Sequence, residues 1–176
     1  MELREKIRTD YQKGKRDEGK FADTVISYGY ECLKPSKSID IYERWDYLIK
    51  KNGKKARVQV KGGKNAHKCG YTWIELTKDD GTIGWLYGKA DVLALMLPDR
   101  FDFYLMSSIR ELIEKRVDKS LPVLKAIPKK ENGENDYYYM RFRQYNGYNR
   151  RDDTTVIVSF EDIKEAFIKT MKITED

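Results

Sequence analysis

Residues 45–61 read WDYLIKKNGKKARVQVK, and the fold depends on how this stretch divides. Trp45-Asp46-Tyr47-Leu48-Ile49 reads as one strand and Ala56 to Lys61 as a second. Between them, Lys50 to Lys54 holds Asn52-Gly53, a pair that accepts the positive φ angles of a two-residue hairpin turn. The expected element is a hairpin. Side chains alternate faces along a strand, so Val58 and Val60 belong to a core while Gln59 and Lys61 share the other face. Asp46, on the preceding strand, can lie across from that pair.

Working outward, Thr9 to Tyr28 carries Phe21, Ala22, Val25 and Ile26 at helical spacing, with Gly29 as the stop. Tyr30 to Leu33 is a short strand, followed by a turn at Pro35-Ser36. Downstream, Tyr71 to Leu76, Ala90 to Leu97 and Phe101 to Met106 read as strands. Ser107-Ser108 is positioned to cap a helix from Ile109 to about Val117. Thr154 to Val158 is a further strand, and Phe160 to Met171 reads as a last helix capped from Ser159, with Asp162 three positions on. These elements describe an α/β domain, 1–176, with a central mixed sheet flanked by helices. Its core spans about 9–117, and 118–176 forms a strand–helix extension.

Composition narrows the class. With 40 % apolar and 36 % charged residues the chain suits a water-soluble domain, and no apolar run approaches the roughly 18 residues of a bilayer span. No membrane partner and an intracellular, cytoplasmic location are expected. Two cysteines, Cys32 and Cys69, make no disulfide framework and read as inert thiols. One histidine, His67, excludes a histidine-based metal site or triad. A net charge of +6 suits a polyanion, because neutralised phosphates release condensed counterions.

Asp46, Gln59 and Lys61 together make sense for phosphodiester hydrolysis. A hard divalent cation takes one or two carboxylates plus other oxygens, and an ammonium can hold water or offset charge developing on phosphate oxygens. Glu18, in the first helix, supplies a further carboxylate. Asp17 and Asp23 compete with Glu18, as Asp40 and Glu43 compete with Asp46. Glu75 is a candidate to supplement the set. Asp91, entering an apolar strand, fits a functional role or a structural hydrogen bond equally, and Trp73 and Trp85 read as core or site-edge packing.

Asp46 followed by Gln59-Val60-Lys61 resembles the core motif of the PD-(D/E)XK nuclease superfamily, most closely in layout the archaeal Holliday-junction resolvases. Eleven residues separate Glu18 from Gly29 and thirteen separate Asp46 from Gln59, both like the resolvase spacing. Trp45 stands where the family name has proline, and Gln59 where an acid is usual, which weakens the pull on a cation. The resemblance covers roughly the first third of the chain. It implies a restriction-endonuclease-like fold and Mg2+ held by Asp46, Gln59 and Glu18, with Mn2+ able to substitute. It also implies Lys61 as a catalytic group, DNA as substrate, branched DNA first, and often a homodimer. A restriction or homing-type enzyme is a variant of this reading, and a catalytically silent nucleic-acid-binding module is its rival. Contacts to DNA are expected from the basic loop holding Lys64 and Lys68. They are also expected from the aromatic and basic segment 137–151, through Tyr139, Arg141, Arg143, Arg150 and Arg151.

Overall fold

The Asn52-Gly53 turn forms with φ of 50° and 75°, the positive pair that a two-residue hairpin needs. It joins β2 (Tyr47–Lys51) to β3 (Lys54–Gly62), with Tyr47 opposite Val58 and Lys51 opposite Lys54. The computed structural model describes residues 2–62, 70–78, 80–125, 138–146 and 151–173. β1 (Glu31–Leu33) flanks β2, and beyond β3 come β5 (Val92–Met96), β6 (Arg100–Leu105) and β9 (Phe167–Lys172). All neighbours in this six-stranded sheet are antiparallel except β3 and β5.

A parallel pair needs a crossover between its strands. Here the crossover carries β4 (Tyr71–Thr77), which joins β8 (Arg151–Ser159) and β7 (Phe142–Asn146) in a second sheet. A 3-10 turn, Trp85–Tyr87, then leads back to β5. The α/β fold with a central mixed sheet is as expected, and the expectation that this sheet stands alone is corrected by the second, three-stranded one. Residues after 117 contribute strands to both.

The large sheet carries a packed layer on each face. Helix α1 (Glu2–Ser27) lies on one, where Phe21 is fully buried with its ring 5.4 Å from those of Tyr47 and Phe101 and 6.0 Å from that of Phe103. Val58, Val60 and Ala94 complete that layer. α1 stops where Gly29 adopts φ 77°: Tyr30 N donates to Val25 O and Gly29 N to Ile26 O, which satisfies carbonyls of the last turn. On the other face Leu93 and Leu95 pack with Trp85, with Ile109 and Ile113 of α3 (Met106–Arg116), and with Ile74, Val156 and Val158 of the small sheet. The layers are α1, the large sheet, then α3 with the small sheet. Among the described residues no helix is long and apolar enough to cross a membrane.

Four further expectations are corrected. α1 begins at Glu2 rather than Thr9. A helix α2 (Lys37–Glu43) follows the Pro35-Ser36 turn, where no element was expected. α3 starts at Met106, so Ser107 and Ser108 lie inside its first turn and supply no side-chain cap. The last helix does not form. Its capping box is real, since Ser159 Oγ donates to Asp162 Oδ2 and Asp162 N donates to Ser159 Oγ, yet only a 3-10 turn, Lys164–Ala166, follows. Phe167–Lys172 pairs instead with β6, where Thr170 Oγ1 donates to the buried Asp102 Oδ1 at 2.6 Å. Without β9, β6 would be an open edge, and pairing it outweighs the local helical spacing.

Gly84 shows how tightly the crossover is seated. A Cβ there would lie 2.4 Å from the carbonyl oxygen of Glu75, a backbone atom that cannot swing away. Gly84→Ala should cost about 2–3 kcal/mol, measured by urea denaturation, and loosen the turn that carries Trp85.

Candidate active site

The chain leaves the β2 ladder at Asp46. Asp46 N still donates to Val58 O at 2.8 Å, but the next donor on β3, Val60 N, finds a side chain in place of a backbone carbonyl: Asp46 Oδ2, at 2.6 Å. Gln59 Nε2 donates to the same oxygen, also at 2.6 Å. The carboxylate thus ends the strand pairing and gathers the amide of Gln59. Among the described residues no hydrogen bond reaches Asp46 Oδ1.

Lys61 follows on the same face of β3 as Gln59, and its ammonium lies 5.4 Å from the centre of the Trp85 indole. That ring and the charge attract, and the ring walls off one side of the lysine. Glu18, half-buried on α1, is held by Lys34, whose Nζ donates to Oε2 at 3.1 Å. Burial raises the pKa of Asp46 from 3.8 to about 6. The Lys61 charge and the Val60 N–H oppose this shift, while the Glu18 and Asp40 charges add to it. Of the four expected groups, Asp46 and Gln59 are in direct contact, Lys61 follows Gln59 on the same face, and Glu18, paired with Lys34, reaches Asp46 only through its charge.

Sequence reasoning ranked Asp17 behind Glu18 and passed over Gly62 and Lys34. Asp17 is more deeply buried than Glu18, and a Cβ on Gly62 would come 2.3 Å from its Oδ2. Gly62, directly after Lys61, is the residue that lets this α1 carboxylate approach the end of β3, and a glycine there was the available signal. Lys34 as the tether of Glu18 carried no signal. Asp91 has a structural role: Oδ2 accepts from Arg57 N and Nε, and Oδ1 from Arg57 Nη2, which ties the start of β5 to β3. Glu43 is likewise engaged, accepting from Trp45 Nε1 and Lys89 Nζ. Glu75 shares the face of β4 opposite Ile74 and Leu76, which pack in the core with Trp85. Burial lifts the Cys32 thiol to about 11, with the Asp23 charge adding to the effect.

Of the expected nucleic-acid contacts, Tyr139, Arg141, Arg143 and Arg151 fall on described residues. Lys64, Lys68 and Arg150 lie outside the described residues, as do His67 and Cys69. Tyr139, at φ 63°, packs under Arg116, and its hydroxyl pKa is raised by burial and by the Asp162 charge. Arg141 donates from Nη2 to the carbonyls of Lys119 and Leu121. Arg143 is exposed on β7, and Arg151 opens β8. Compared with protein-family models, curated proteins and solved structures, the chain matches none of them.

Because Asp46 holds its proton more tightly folded than unfolded, its contribution to stability is full below about pH 4 and is lost as pH rises through about 6, a change of roughly 2–3 kcal/mol. Asn at this position can accept the same two hydrogen bonds without charge. Asp46→Asn should therefore be about 2 kcal/mol more stable than the parent at pH 8 and equal to it near pH 4, read from urea midpoints at both values. A variant less stable at pH 8 would show that the ionised carboxylate is a net stabiliser.

Proposed function

We propose that this chain is a metal-dependent endonuclease of the PD-(D/E)XK type with a restriction-endonuclease-like fold, hydrolysing DNA phosphodiester bonds, branched DNA first. The observation that carries the reading is the Gln59–Asp46 contact at the end of the hairpin, with Lys61 next on the same face. Solvation gives a poor account of Gln59 turned onto a buried aspartate, with the next charge on that face, Lys61, held over the Trp85 ring. Their chemistry matches what a phosphodiester requires.

The donor set suits Mg2+ or Mn2+, which take one or two carboxylates and complete their shells with water and phosphate oxygens. Asp46 and Gln59 would hold the cation directly, and Glu18 directly or through water. Gln59 turns its Nε2 onto Asp46, so its Oε1 is the atom free to face a cation. Bound there, the cation supplies positive charge against the phosphate and lowers the pKa of a water. Lys61 donates hydrogen bonds to that water or to a non-bridging phosphate oxygen, offsetting charge that grows as the water oxygen bonds to phosphorus and the P–O ester bond breaks. Trp85 keeps the ammonium near its working position. Deprotonation of Asp46 is a precondition for cation binding, so activity should rise with pH through about 6.

The silent nucleic-acid-binding module has one observation in its favour. Among the described residues there is no group of three or more histidine, cysteine, aspartate or glutamate side chains able to hold a metal. One assay separates the two readings. Linear, single-stranded and four-way-junction DNA are offered with Mg2+ or Mn2+ to the parent and to Lys61→Ala. Nicking should fall at least about 100-fold in the variant, while binding by gel shift stays within a factor of about three. Binding without cutting in either metal selects the silent module.

Gln59→Glu tests the metal side. It places a second carboxylate beside Asp46, so the Mg2+ concentration for half-maximal cleavage should drop about tenfold at alkaline pH. Two adjacent carboxylates also resist joint ionisation, which moves the pH optimum upward. An unchanged metal requirement would remove Gln59 from the cation site.

A further inference from the structure

Beyond the end of α1, the hairpin end of the large sheet lies open beside β9. Between the β2–β3 hairpin and β9 lies an open cleft of about 520 Å3, in which half-buried Ala56 and Val92 and exposed Ile168 form an apolar floor, with buried Ile49 and Phe103 beneath it. It sits at the opposite end of β3 from Lys61 and on the other face. Six residues separate Lys55 from Lys61, about 20 Å of strand.

Lysines 51, 54 and 169 line this cleft, and among the described residues none of them pairs with a carboxylate. The ammonium groups of Lys51 and Lys169 lie 4.9 and 4.6 Å from the centre of one ring, that of Tyr30, so they are less than about 10 Å from each other. Each has one hydrogen bond in place, Lys51 to Tyr28 O and Lys169 to the Tyr30 hydroxyl, which leaves two N–H donors apiece. Unneutralised like charges this close repel, and an anion placed between them removes the penalty. The volume falls in the range of small-ligand sites, and the floor sets apolar side chains beside the charges.

We propose that this cleft binds one nucleotide of a single-stranded nucleic acid, its phosphate between Lys51 and Lys169 and its base against the apolar floor. An acidic peptide would satisfy the lysines but brings no planar apolar body for the floor. A phosphodiester with its base supplies both. The site is separate from Asp46, so its existence does not depend on whether the chain cuts DNA.

The test is fluorescence anisotropy of a labelled oligothymidylate of about ten residues, in EDTA so that no cleavage occurs. Lys51→Gln combined with Lys169→Gln should weaken binding at least about tenfold at low salt, and flatten the log–log salt dependence by about 1.4, or 0.7 for each lost cation. Because Lys169 also touches Tyr30 and Phe103, Lys54→Glu, at the exposed hairpin end, provides a second variant. It should weaken binding several-fold with an unchanged melting temperature. An abasic oligomer of equal length should bind the parent several-fold more weakly than the thymidylate. Unchanged affinity and salt slope in both variants overturns the proposal. So does equal binding of the abasic oligomer, which leaves the floor without a role. Competition by thymidine monophosphate as strong as that of the oligomer assigns the cleft to free nucleotides instead, and equal competition by polyglutamate assigns it to an acidic peptide.

Discussion

The turn at Asn52-Gly53 locks Tyr47 across from Val58, and with that pairing every side chain of β3 receives its face. Val58 and Val60 meet Phe21 and Val25 of α1, while Gln59 and Lys61 face the layer that holds Trp85. A slip of one residue would drive a glutamine and a lysine under α1 and turn two valines into the layer that holds Trp85, because strand side chains repeat every two residues. The same register brings Asp46 opposite Gln59 and leaves Val60 N in need of an acceptor. The site and the hairpin are one construction. Asp46 ends the ladder, and by ending it becomes the point where polar groups gather.

Much of this was legible from the chain. The Asn-Gly dipeptide, the valine alternation and Gly29 are local signals, and each stands where the physics puts it: a hairpin turn, a buried face, a helix stop. The opposition of Asp46 and Gln59 followed from the turn alone. What could not be read was non-local. The small sheet forms because β4, inside a crossover, meets β8 from far along the chain. The segment from Phe160 carries both helical spacing and a real capping box, and only the unpaired side of β6 decides for a strand. Lys37–Glu43 lacks an apolar stripe long enough to announce a helix, and none of its residues is buried.

At the site the division is similar. Strand periodicity placed Asp46, Gln59 and Lys61. It had no means of placing Asp17, which reaches the end of β3 only because Gly62 has no side chain. Nor could it tell that Asp91 and Arg141 are occupied with Arg57 and with backbone carbonyls. Charged residues chosen by type alone divide into those that tie elements together and those left to meet a ligand. Only the three-dimensional contacts sort them.

The β6–β9 pairing has a further consequence for how the chain reaches this state. Thr170 meets Asp102 across 68 residues of sequence, so the large sheet closes only after the small sheet's strands have been synthesised. Contacts of such long range form slowly. Until they form, β6 offers bare N–H and C=O groups and a buried-type aspartate beside Phe101 and Phe103. That interval is when a growing or refolding chain is most exposed to edge-to-edge association with its copies. Protection of the β6 edge thus rests on the last strand of the sheet to be synthesised.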